Sequence, residues 1–251
     1  MTPGDTGRGD GGDRFPSTRA SAVAGVRSPE AAERDRSLST LIAAYWRPVY
    51  KYVRIRWGRP PEDAEDLTQG FFLRAMERSF FDSYDPEKSR FRTFLRTCLD
   101  AYLANELRAE RRLKRGGGAI LLSLDFESAE GELAAAPPVT PGSPDELFRS
   151  EWVRGLFNLA LESLRDECRK AGKTVHFRLF ERYDLDDPGS GRITYQVLAD
   201  EHDLSVSDVT NYLAFTRREF RRILLETLRE ITAGEEEFRR EARILLGEKG
   251  D

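Results

Sequence analysis

The apolar residues that follow Arg90 recur at every third or fourth position, and this spacing constrains the fold more than any other feature of the chain. The series comprises Phe91, Phe94, Leu95, Cys98, Leu99, Tyr102, Leu103 and Leu107. Residues three and four apart lie on the same face of an α-helix. The stretch therefore predicts an amphipathic helix whose apolar face packs in a core. The glycines at 116–118 predict where this helix ends.

Helical spacing recurs through most of the chain. Residues 38–53 predict one helix with a kink or a restart at Pro48, and Pro61 followed by acidic residues predicts the start of the next. Residues 143–145 predict a further helix start, and residues 194–228 predict a helix, a tight turn and a second helix. No stretch predicts paired strands. The predicted fold class is therefore all-α, with two helical domains joined by a flexible linker.

Composition divides the chain into five segments. Residues 1–36 are rich in Gly, Asp, Arg, Ser and Pro and are predicted to be disordered. Residues 37–118 form the first predicted helical domain, and the proline-rich residues 119–143 form the predicted linker. Residues 144–228 form the second predicted domain, which contains a helix-turn-helix. Residues 229–251 are predicted to be a charged helical tail.

Cysteine and histidine usage argues against two kinds of site. The chain has 2 cysteines, Cys98 and Cys168, and 2 histidines, His176 and His202. Neither cysteine belongs to a CxxC pair, so no disulfide framework and no metal site are predicted, and a reducing compartment is expected. No apolar run is long enough to span a bilayer and there is no signal-peptide core, so a cytoplasmic protein is expected.

Enzyme motifs are also missing from the sequence. The glycines at 116–118 are not followed by the Gly-Lys-Ser/Thr that a phosphate-binding loop needs. A weak calcium-loop pattern begins at residue 184, but Tyr195 stands where the closing Glu belongs. We therefore predict no catalytic residue, no metal ligand and no cofactor.

Positive charge is concentrated on the helix predicted after Arg90, although the chain as a whole is slightly acidic. The net charge is −4, yet the segment 90–115 contains more than twice as many basic as acidic residues. Aromatic rings at Tyr84, Phe91, Phe94 and Tyr102 interleave with this charge. Cations and aromatic faces together bind single-stranded nucleic acid, because phosphates pair and bases stack. The alternative interpretation is a set of core aromatics beside an ordinary solvated face.

Residues 194–222 carry the pattern of a helix-turn-helix. Ala199 allows close helix packing, Leu204 occupies the turn, and Ser205 caps the second helix. Early exposed residues of that helix enter the major groove in such a motif, and later arginines suit phosphates. The predicted base contacts are Ser207, Asp208, Thr210 and Asn211, and the predicted phosphate contacts are Arg217, Arg218, Arg221 and Arg222. The alternative is a plain helical hairpin with a solvated arginine-rich face.

Three stretches together resemble one protein family. Residues 45–78, with the motif DAEDLTQ, resemble the second conserved region of sigma factors, and residues 85–112 resemble the promoter-melting part of that region. Residues 193–222 resemble the fourth region, which holds the helix-turn-helix. No third-region domain lies between them. This layout is similar to that of the extracytoplasmic-function (ECF) sigma factors, the small bacterial RNA polymerase sigma subunits.

The resemblance implies partners and contacts. The implied partners are bacterial core RNA polymerase and promoter DNA, with an anti-sigma factor as a further candidate and no membrane. The residues implied to dock on the polymerase clamp coiled coil are Asp63, Glu65, Asp66, Gln69 and Phe72. The residues implied to contact minus-ten DNA during base capture and melting are Tyr84, Lys88, Arg92, Arg96, Asn105, Arg108, Arg111 and Arg112. The residues implied to read or grip the minus-thirty-five element are Ser207, Asp208, Thr210, Asn211, Arg217, Arg218 and Arg221.

The chain departs from the family pattern at three places. Phe94 stands where the family usually has Trp, and Ala101 where it usually has Asn. The turn has His202 and Asp203 where the family usually has Leu-Gly, and Asp tolerates positive φ better than most residues other than glycine. Two alternatives therefore stay open. One is a helix-turn-helix regulator whose first domain binds another protein, and the other is a sigma-like adaptor that does not itself initiate transcription.

Overall fold

The structure, a computed structural model, describes residues 21–77, 80–110, 122–135, 143–186 and 193–247. Within these ranges it consists of helices and contains no strand, which confirms the all-α class. The helices are α1 (Ala22–Gly25), α2 (Ala31–Arg56), α3 (Pro61–Ala75), α4 (Phe91–Glu110), α5 (Phe126–Ala135), α6 (Pro144–Lys170), α7 (Thr174–Phe180), α8 (Tyr195–His202), α9 (Val206–Glu230) and α10 (Glu235–Leu245). A 3₁₀ turn (Phe80–Ser83) precedes α4, and a π-helical turn (Glu181–Leu185) follows α7.

Helix α2 lies at the centre of the molecule, because side chains on several of its faces are buried. The side chains that are at most 1% exposed are Tyr45, Val49, Tyr50, Tyr52 and Val53. Because several of its faces are buried, α2 is packed between other helices: it contacts α1, α3, α5 and α6. The helix runs through Pro48 without a break, so the predicted restart at that residue does not occur.

Residues 21–36 form α1, a turn and the start of α2, which corrects the prediction of disorder for this part of residues 1–36; residues 1–20 lie outside the described ranges. Ala22, Val23 and Val26 are buried in the core. These apolar residues give a short segment enough buried surface to pack, and the polar composition around them had concealed this. Helix α2 then begins at Ala31, six residues before the predicted domain boundary at residue 37.

Helix α5 lies inside the predicted linker 119–143 and corrects part of that prediction. The ring of Phe126 packs against Trp46 and Tyr50 of α2, with centroid distances of 5.5 and 4.9 Å. Glu130 accepts hydrogen bonds from Arg54, and Glu132 from Lys51. Paired carboxylates and one aromatic anchor therefore hold α5 on α2. Residues 119–121 and 136–142 of the predicted linker are not among the described residues.

Helix α6 joins the two predicted helical domains. It begins with the predicted cap, since the Ser143 side chain accepts a hydrogen bond from the Glu146 N–H at 3.2 Å. It then crosses α2, where Phe148 packs edge-on against Tyr52 at 5.6 Å. The C-terminal half of α6 packs on α9 and α7. Buried residues on both sides of residue 144 consequently belong to one contiguous hydrophobic core.

Helices α7 and α9 pack on α6, and α8 packs on α9. The ring of Phe220 of α9 lies 5.7 Å from Phe157 of α6 and 5.6 Å from Phe180 of α7. Residues 165–186, for which the sequence suggested no role, thus form the end of α6, α7 and the π-helical turn that support α9. Helix α10 returns from the end of α9 towards the start of α4, where its Phe238 is buried.

Candidate functional site

The first turns of α3 present an acidic edge to solvent. Asp63 and Asp66 are exposed, and Glu65 is half-buried. Glu62 and Asp63 lie in the first helical turn, where carboxylates interact favourably with the helix dipole. Arg59 lies 3.6 Å from Asp63, but a solvent-exposed pair of this kind contributes little stability. The carboxylates of this edge can therefore exchange their present contacts for those of a basic partner.

Gln69 and Phe72 do not belong to that edge, although the resemblance implies that they too dock on the polymerase. They are 6% and 3% exposed, and Phe72 packs against Phe71 in the core. Each residue of an α-helix turns by about 100°, so Gln69 lies about 120° and Phe72 about 180° around the helix from Asp63. Part of the motif that resembles a docking helix is therefore used to pack α3 on its neighbours.

Tyr84 lies in an aromatic cluster at the start of α4. Its side chain is 6% exposed, and its ring lies 5.3 Å from Phe91 and 5.0 Å from Phe94. In this conformation Tyr84 is therefore a core aromatic, as in the alternative interpretation of the sequence, and its contact with DNA stays a prediction. Lys88, four residues after Tyr84, is exposed, and its Nζ lies 3.0 Å from Oδ2 of Asp85.

Arg27 braces the same loop from the other side. Its guanidinium donates hydrogen bonds to the carbonyl oxygens of Phe81 and Tyr84, with a distance of 3.1 Å from Nε to the Phe81 oxygen. These carbonyls belong to the 3₁₀ turn and its exit, where the backbone has few helical partners. The segment before α2 thus fixes the backbone that leads into α4.

Arg92, which the resemblance places against minus-ten DNA, is buried in this conformation. It is 6% exposed, and its Nη2 lies 3.0 Å from Oε1 of Glu241, which is 1% exposed. Its guanidinium also lies 5.3 Å from the ring centroid of Trp152 on α6. Arg90 reaches the same carboxylate at 3.5 Å. Glu241 of α10 therefore neutralises two arginines at the start of α4.

Glu237, one helical turn before Glu241, binds the backbone of α4. Its carboxylate accepts hydrogen bonds from the N–H of Phe91 at 2.7 Å and from the N–H of Ala233 at 2.8 Å. The Phe91 N–H is at the first position of α4, where it has no partner within the helix. Burial raises the pKa of Glu237, although these two hydrogen bonds favour the ionised form.

Arg96 lies one turn after Arg92 on the same face of α4, and it also contacts carboxylates. Its Nε lies 2.8 Å from Asp145 of α6, and its Nη1 pairs with Asp100. Asp100 additionally accepts hydrogen bonds from Tyr52 and Trp57. Arg92 and Arg96, two of the arginines that the resemblance places against minus-ten DNA, are therefore bound to acidic side chains of this chain.

Asn105 and Arg108 remain exposed on the outer face of α4. They share that face with Ala101, because positions 101, 105 and 108 are separated by four and three residues. Arg108 and Asn105 contact each other at 3.4 Å. Arg111 and Arg112 lie outside the described residues, so this polar face is described only as far as residue 108.

The turn between α8 and α9 has the predicted local chemistry. Thr194 caps α8 through the N–H of Val197, and Asp203 adopts the left-handed conformation with φ 53°. Ser205 and Asp208 form a capping box: Ser205 Oγ accepts from the Asp208 N–H at 3.0 Å, and Asp208 accepts from the Ser205 N–H at 3.2 Å. The two hydrogen bonds from Ser205 lower the pKa of Asp208. The Asp208 carboxylate is thus occupied by the cap rather than free.

The exposed face of α9 carries the other predicted contacts. The exposed polar residues along the middle of this face are Ser207, Thr210, Asn211, Arg218 and Arg221, with the exposed Arg217 and Arg222 on either side of them. Neither Arg218 nor Arg221 forms an ion pair with any residue that the structure describes. Val209 and Leu213 point the opposite way and are 0% exposed. One helix face therefore combines small polar groups near its N-terminus with two unpaired cations further along.

Arg217 and Arg222 are engaged within the protein. Arg217 binds both oxygens of Asp184, at 3.0 and 2.9 Å, and this pairing raises its pKa. Arg222 contacts Glu167, Glu219 and Glu226. Both arginines are therefore paired with carboxylates of this chain in the described conformation, and their contact with phosphate stays a prediction.

Sequence reasoning missed Arg27, Asp145, Glu237 and Glu241, which contact the residues predicted to touch DNA. The four-residue spacing of Glu237 and Glu241 beside the apolar Phe238 marks an amphipathic helix. That spacing does not identify which surface the helix covers, because the partner lies 149 residues away.

Comparison with known proteins adds one finding. Residues 41–113 match the family model of sigma-70 region 2, from the middle of α2 through α3 and α4. No curated protein and no solved structure matches the chain. In the part that the structure describes, no helix is both long and apolar enough to cross a membrane. The same residues contain no group of three or more His, Cys, Asp or Glu side chains that could hold a metal ion.

Proposed function

Residues 41–113 belong to the sigma-70 region 2 family, and from this premise we propose that the chain is an RNA polymerase sigma factor of the ECF type. It binds bacterial core RNA polymerase in the cytoplasm and directs promoter recognition, DNA melting and transcription initiation. The family match carries the proposal, since it covers both the acidic helix α3 and the helix α4 that the resemblance places against DNA.

Core binding uses the exposed acidic edge of α3. Asp63 and Asp66 are accessible, whereas Gln69 and Phe72 hold the helix in place from its buried side. Exposed carboxylates at a helix start attract a basic surface and speed association more than they tighten it. A docking helix would have this arrangement, with exposed carboxylates for the partner and a buried side that fixes its orientation.

Contact with minus-ten DNA uses α4 and the loop before it. Asn105 and Arg108 are exposed and available, and we expect Lys88 to add a phosphate contact. Arg92, Arg96 and Tyr84 join them only when their present internal contacts open. Flipping a base out of the stack costs a few kcal/mol, which aromatic stacking can offset.

Contact with the minus-thirty-five element uses the exposed face of α9. Ser207, Thr210 and Asn211 are placed early in the helix, where side chains of a recognition helix reach base edges. Arg218 and Arg221 follow on the same face and suit the phosphate backbone. An anti-sigma factor is a further partner that the ECF resemblance implies, and no described surface singles out its binding site.

The proposal is tested by transcription with purified bacterial core polymerase on genomic DNA, with transcript 5′ ends determined by sequencing. We expect new, sequence-specific start sites that appear only when protein and core are both present. Core alone and protein alone are the controls. A protein that neither co-purifies with core nor adds start sites is not a sigma factor.

A sigma-like adaptor is the second candidate, and one observation favours it. Arg92 and Arg96 both contact carboxylates of this chain in the described conformation, so these two side chains are not free to bind DNA. An adaptor would bind core polymerase with the affinity expected of a sigma factor and add no start sites. The same transcription experiment distinguishes the two candidates, because only a sigma factor creates specific initiation.

A further inference from the structure

We propose that the C-terminal helix α10 acts as an intramolecular latch that closes the DNA-contacting end of α4 and must undock before this end binds DNA. The latch consists of Glu237 and Glu241, together with their contacts to Phe91, Arg90 and Arg92. This inference rests on the proposed function, because it assumes that the start of α4 meets nucleic acid.

The latch contacts compete directly with a nucleic acid. Glu241 places a carboxylate 3.0 Å from the Arg92 guanidinium and 3.5 Å from that of Arg90. A phosphate would bind the same donors with similar charge-assisted hydrogen bonds. Glu237 accepts a hydrogen bond from the Phe91 N–H at 2.7 Å. This backbone donor at the start of α4 has no partner within the helix. Carboxylate and phosphate therefore cannot occupy these groups together.

The apolar contact of α10 is small: Phe238 is buried, and Ala242 and Leu245 are partly buried beside it. Phe238 and Glu241 are its buried residues, and Arg229 of α9 lies 4.1 Å from the centroid of the Phe238 ring. Two acid–arginine pairs, Arg239–Glu235 and Arg240–Glu236, lie along the exposed side of α10. Undocking therefore exposes three apolar side chains and leaves the helix with its own surface pairs.

The latch explains why two residues that are costly to bury are buried together. A charge removed from water costs several kcal/mol unless it is paired, and Arg92 and Glu241 are among the few buried charged residues described. When α10 leaves, both side chains regain water, so the pair opens at a modest net cost. Replacement of Glu241 alone would instead leave the buried Arg92 uncompensated, and this favours the undocked state.

The N-terminal segment contacts the turn that precedes the latch helix α10. Ser21 donates a hydrogen bond to the carbonyl oxygen of Thr232, in the turn between α9 and α10, while Arg27 holds the carbonyls of Phe81 and Tyr84. Residues 21–27 thus contact both the turn before α10 and the loop that leads into α4. Arg96 is bound separately through Asp145 of α6, which is 59% exposed, and a screened pair of this kind yields to phosphate more easily.

The test compares Glu237→Gln/Glu241→Gln with truncation after Ala233. The matched control is Glu235→Gln/Glu236→Gln, which removes the same charge from the exposed side of α10. Affinity for a fluorescein-labelled 20-nucleotide oligo(dT) is measured by anisotropy, and hydrogen exchange is followed at residues 84–96. We expect both latch variants to bind the probe at least about tenfold more tightly, because the fraction of open molecules sets the apparent affinity. We also expect exchange at Phe91 to accelerate about tenfold or more, with the control unchanged.

A second measurement uses the unmodified protein and does not depend on how the variants fold. Binding linkage is reciprocal, so a saturating concentration of oligo(dT) should accelerate exchange throughout α10 while protecting residues 84–96. The latch is ruled out if the oligonucleotide protects residues 84–96 and leaves α10 unchanged. It is also ruled out if both folded latch variants bind oligo(dT) no more tightly than the control.

Core polymerase binding separates this inference from the proposed function. All the proteins are passed over immobilised core polymerase in parallel with the DNA measurements. If they bind core but the latch variants behave like the control, the latch is wrong, whereas the core binding that the proposed function requires is retained. If none of them binds core, the sigma assignment fails whatever the oligonucleotide measurements give.

Discussion

Lys51 of α2 and Glu151 of α6 form a buried ion pair at the crossing of the two helices. The Lys51 Nζ lies 3.3 Å from Oε2 of Glu151, and the two side chains are 4% and 1% exposed. Lys51 also contacts Glu132 of α5, and Glu151 contacts Arg154 at 2.8 Å. This pair therefore links three helices, including helices that the sequence assigned to separate domains.

The first prediction concerns that pair. Lys51→Met should lower the free energy of unfolding by about 3 kcal/mol, because it leaves the Glu151 carboxylate buried with one remaining partner. Lys51→Met/Glu151→Met should recover most of this loss, because similar-sized apolar side chains can replace a buried pair at little net cost. Urea denaturation followed by circular dichroism measures both changes. Equal losses in the single and double variants would contradict the expected coupling.

The second prediction concerns Asp203 in the turn before α9. Its φ of 53° is the only positive φ of a residue other than glycine in the described ranges. Asp203→Ala should destabilise the protein by about 1 kcal/mol, because a Cβ without a local polar partner is disfavoured in the left-handed region. Asp203→Gly should not destabilise it. Thermal denaturation distinguishes the two, and equal melting temperatures for both variants would show that the turn is not strained.

The third prediction concerns the acidic edge of α3. Asp63→Lys/Asp66→Lys should weaken binding to core polymerase at least about tenfold, a change of about 1.4 kcal/mol, with the melting temperature little changed. The matched control is Glu162→Lys/Asp166→Lys, which reverses two exposed acids of α6. Biolayer interferometry with immobilised core measures the effect. A similar loss in the control would mean that overall charge, and not this edge, governs binding.

The fourth prediction concerns the exposed face of α9. Arg218→Ala/Arg221→Ala should weaken binding to duplex DNA and reduce the slope of log affinity against log salt by about 2, since each phosphate contact contributes about 0.9. Arg149→Ala/Arg178→Ala removes two exposed arginines from α6 and α7 and should leave the slope unchanged. Anisotropy titrations of a labelled 25-base-pair duplex at several salt concentrations provide the slopes.

The fifth prediction concerns thiol reactivity. Burial raises the pKa of the Cys98 thiol to about 11 and also raises the pKa of Cys168. A raised pKa keeps the thiol protonated, so only about 0.1% of Cys98 should be thiolate at pH 8, against roughly a quarter of an unperturbed cysteine. Iodoacetamide should therefore label Cys98 at least about a hundredfold more slowly in the native protein than in urea. Mass spectrometry of the digested protein measures the rates, and fast native labelling would contradict the burial of Cys98.

Local features were predictable because their causes lie within a few residues. Apolar spacing placed α4, Ser143 and Ser205 marked the starts of α6 and α9, and the turn at Asp203 took the positive φ expected of it. Capping and helical spacing depend on neighbours three or four positions away, and the sequence displays those neighbours directly. The motif of residues 63–69 likewise identified the segment that the family match then covered.

Side-chain availability was not predictable in the same way. The sequence by itself determined most of the long helices, the caps of α6 and α9 and the match of residues 41–113 to sigma-70 region 2, but not α1 or α5. Only the tertiary structure decided which charged residues are free: Arg218 stays exposed, Arg217 is held by Asp184, and Arg92 is buried against Glu241. These pairings join residues as far as 149 positions apart. Whether a charge faces water or a carboxylate depends on which distant helix packs over it, and helical periodicity contains no information about that partner.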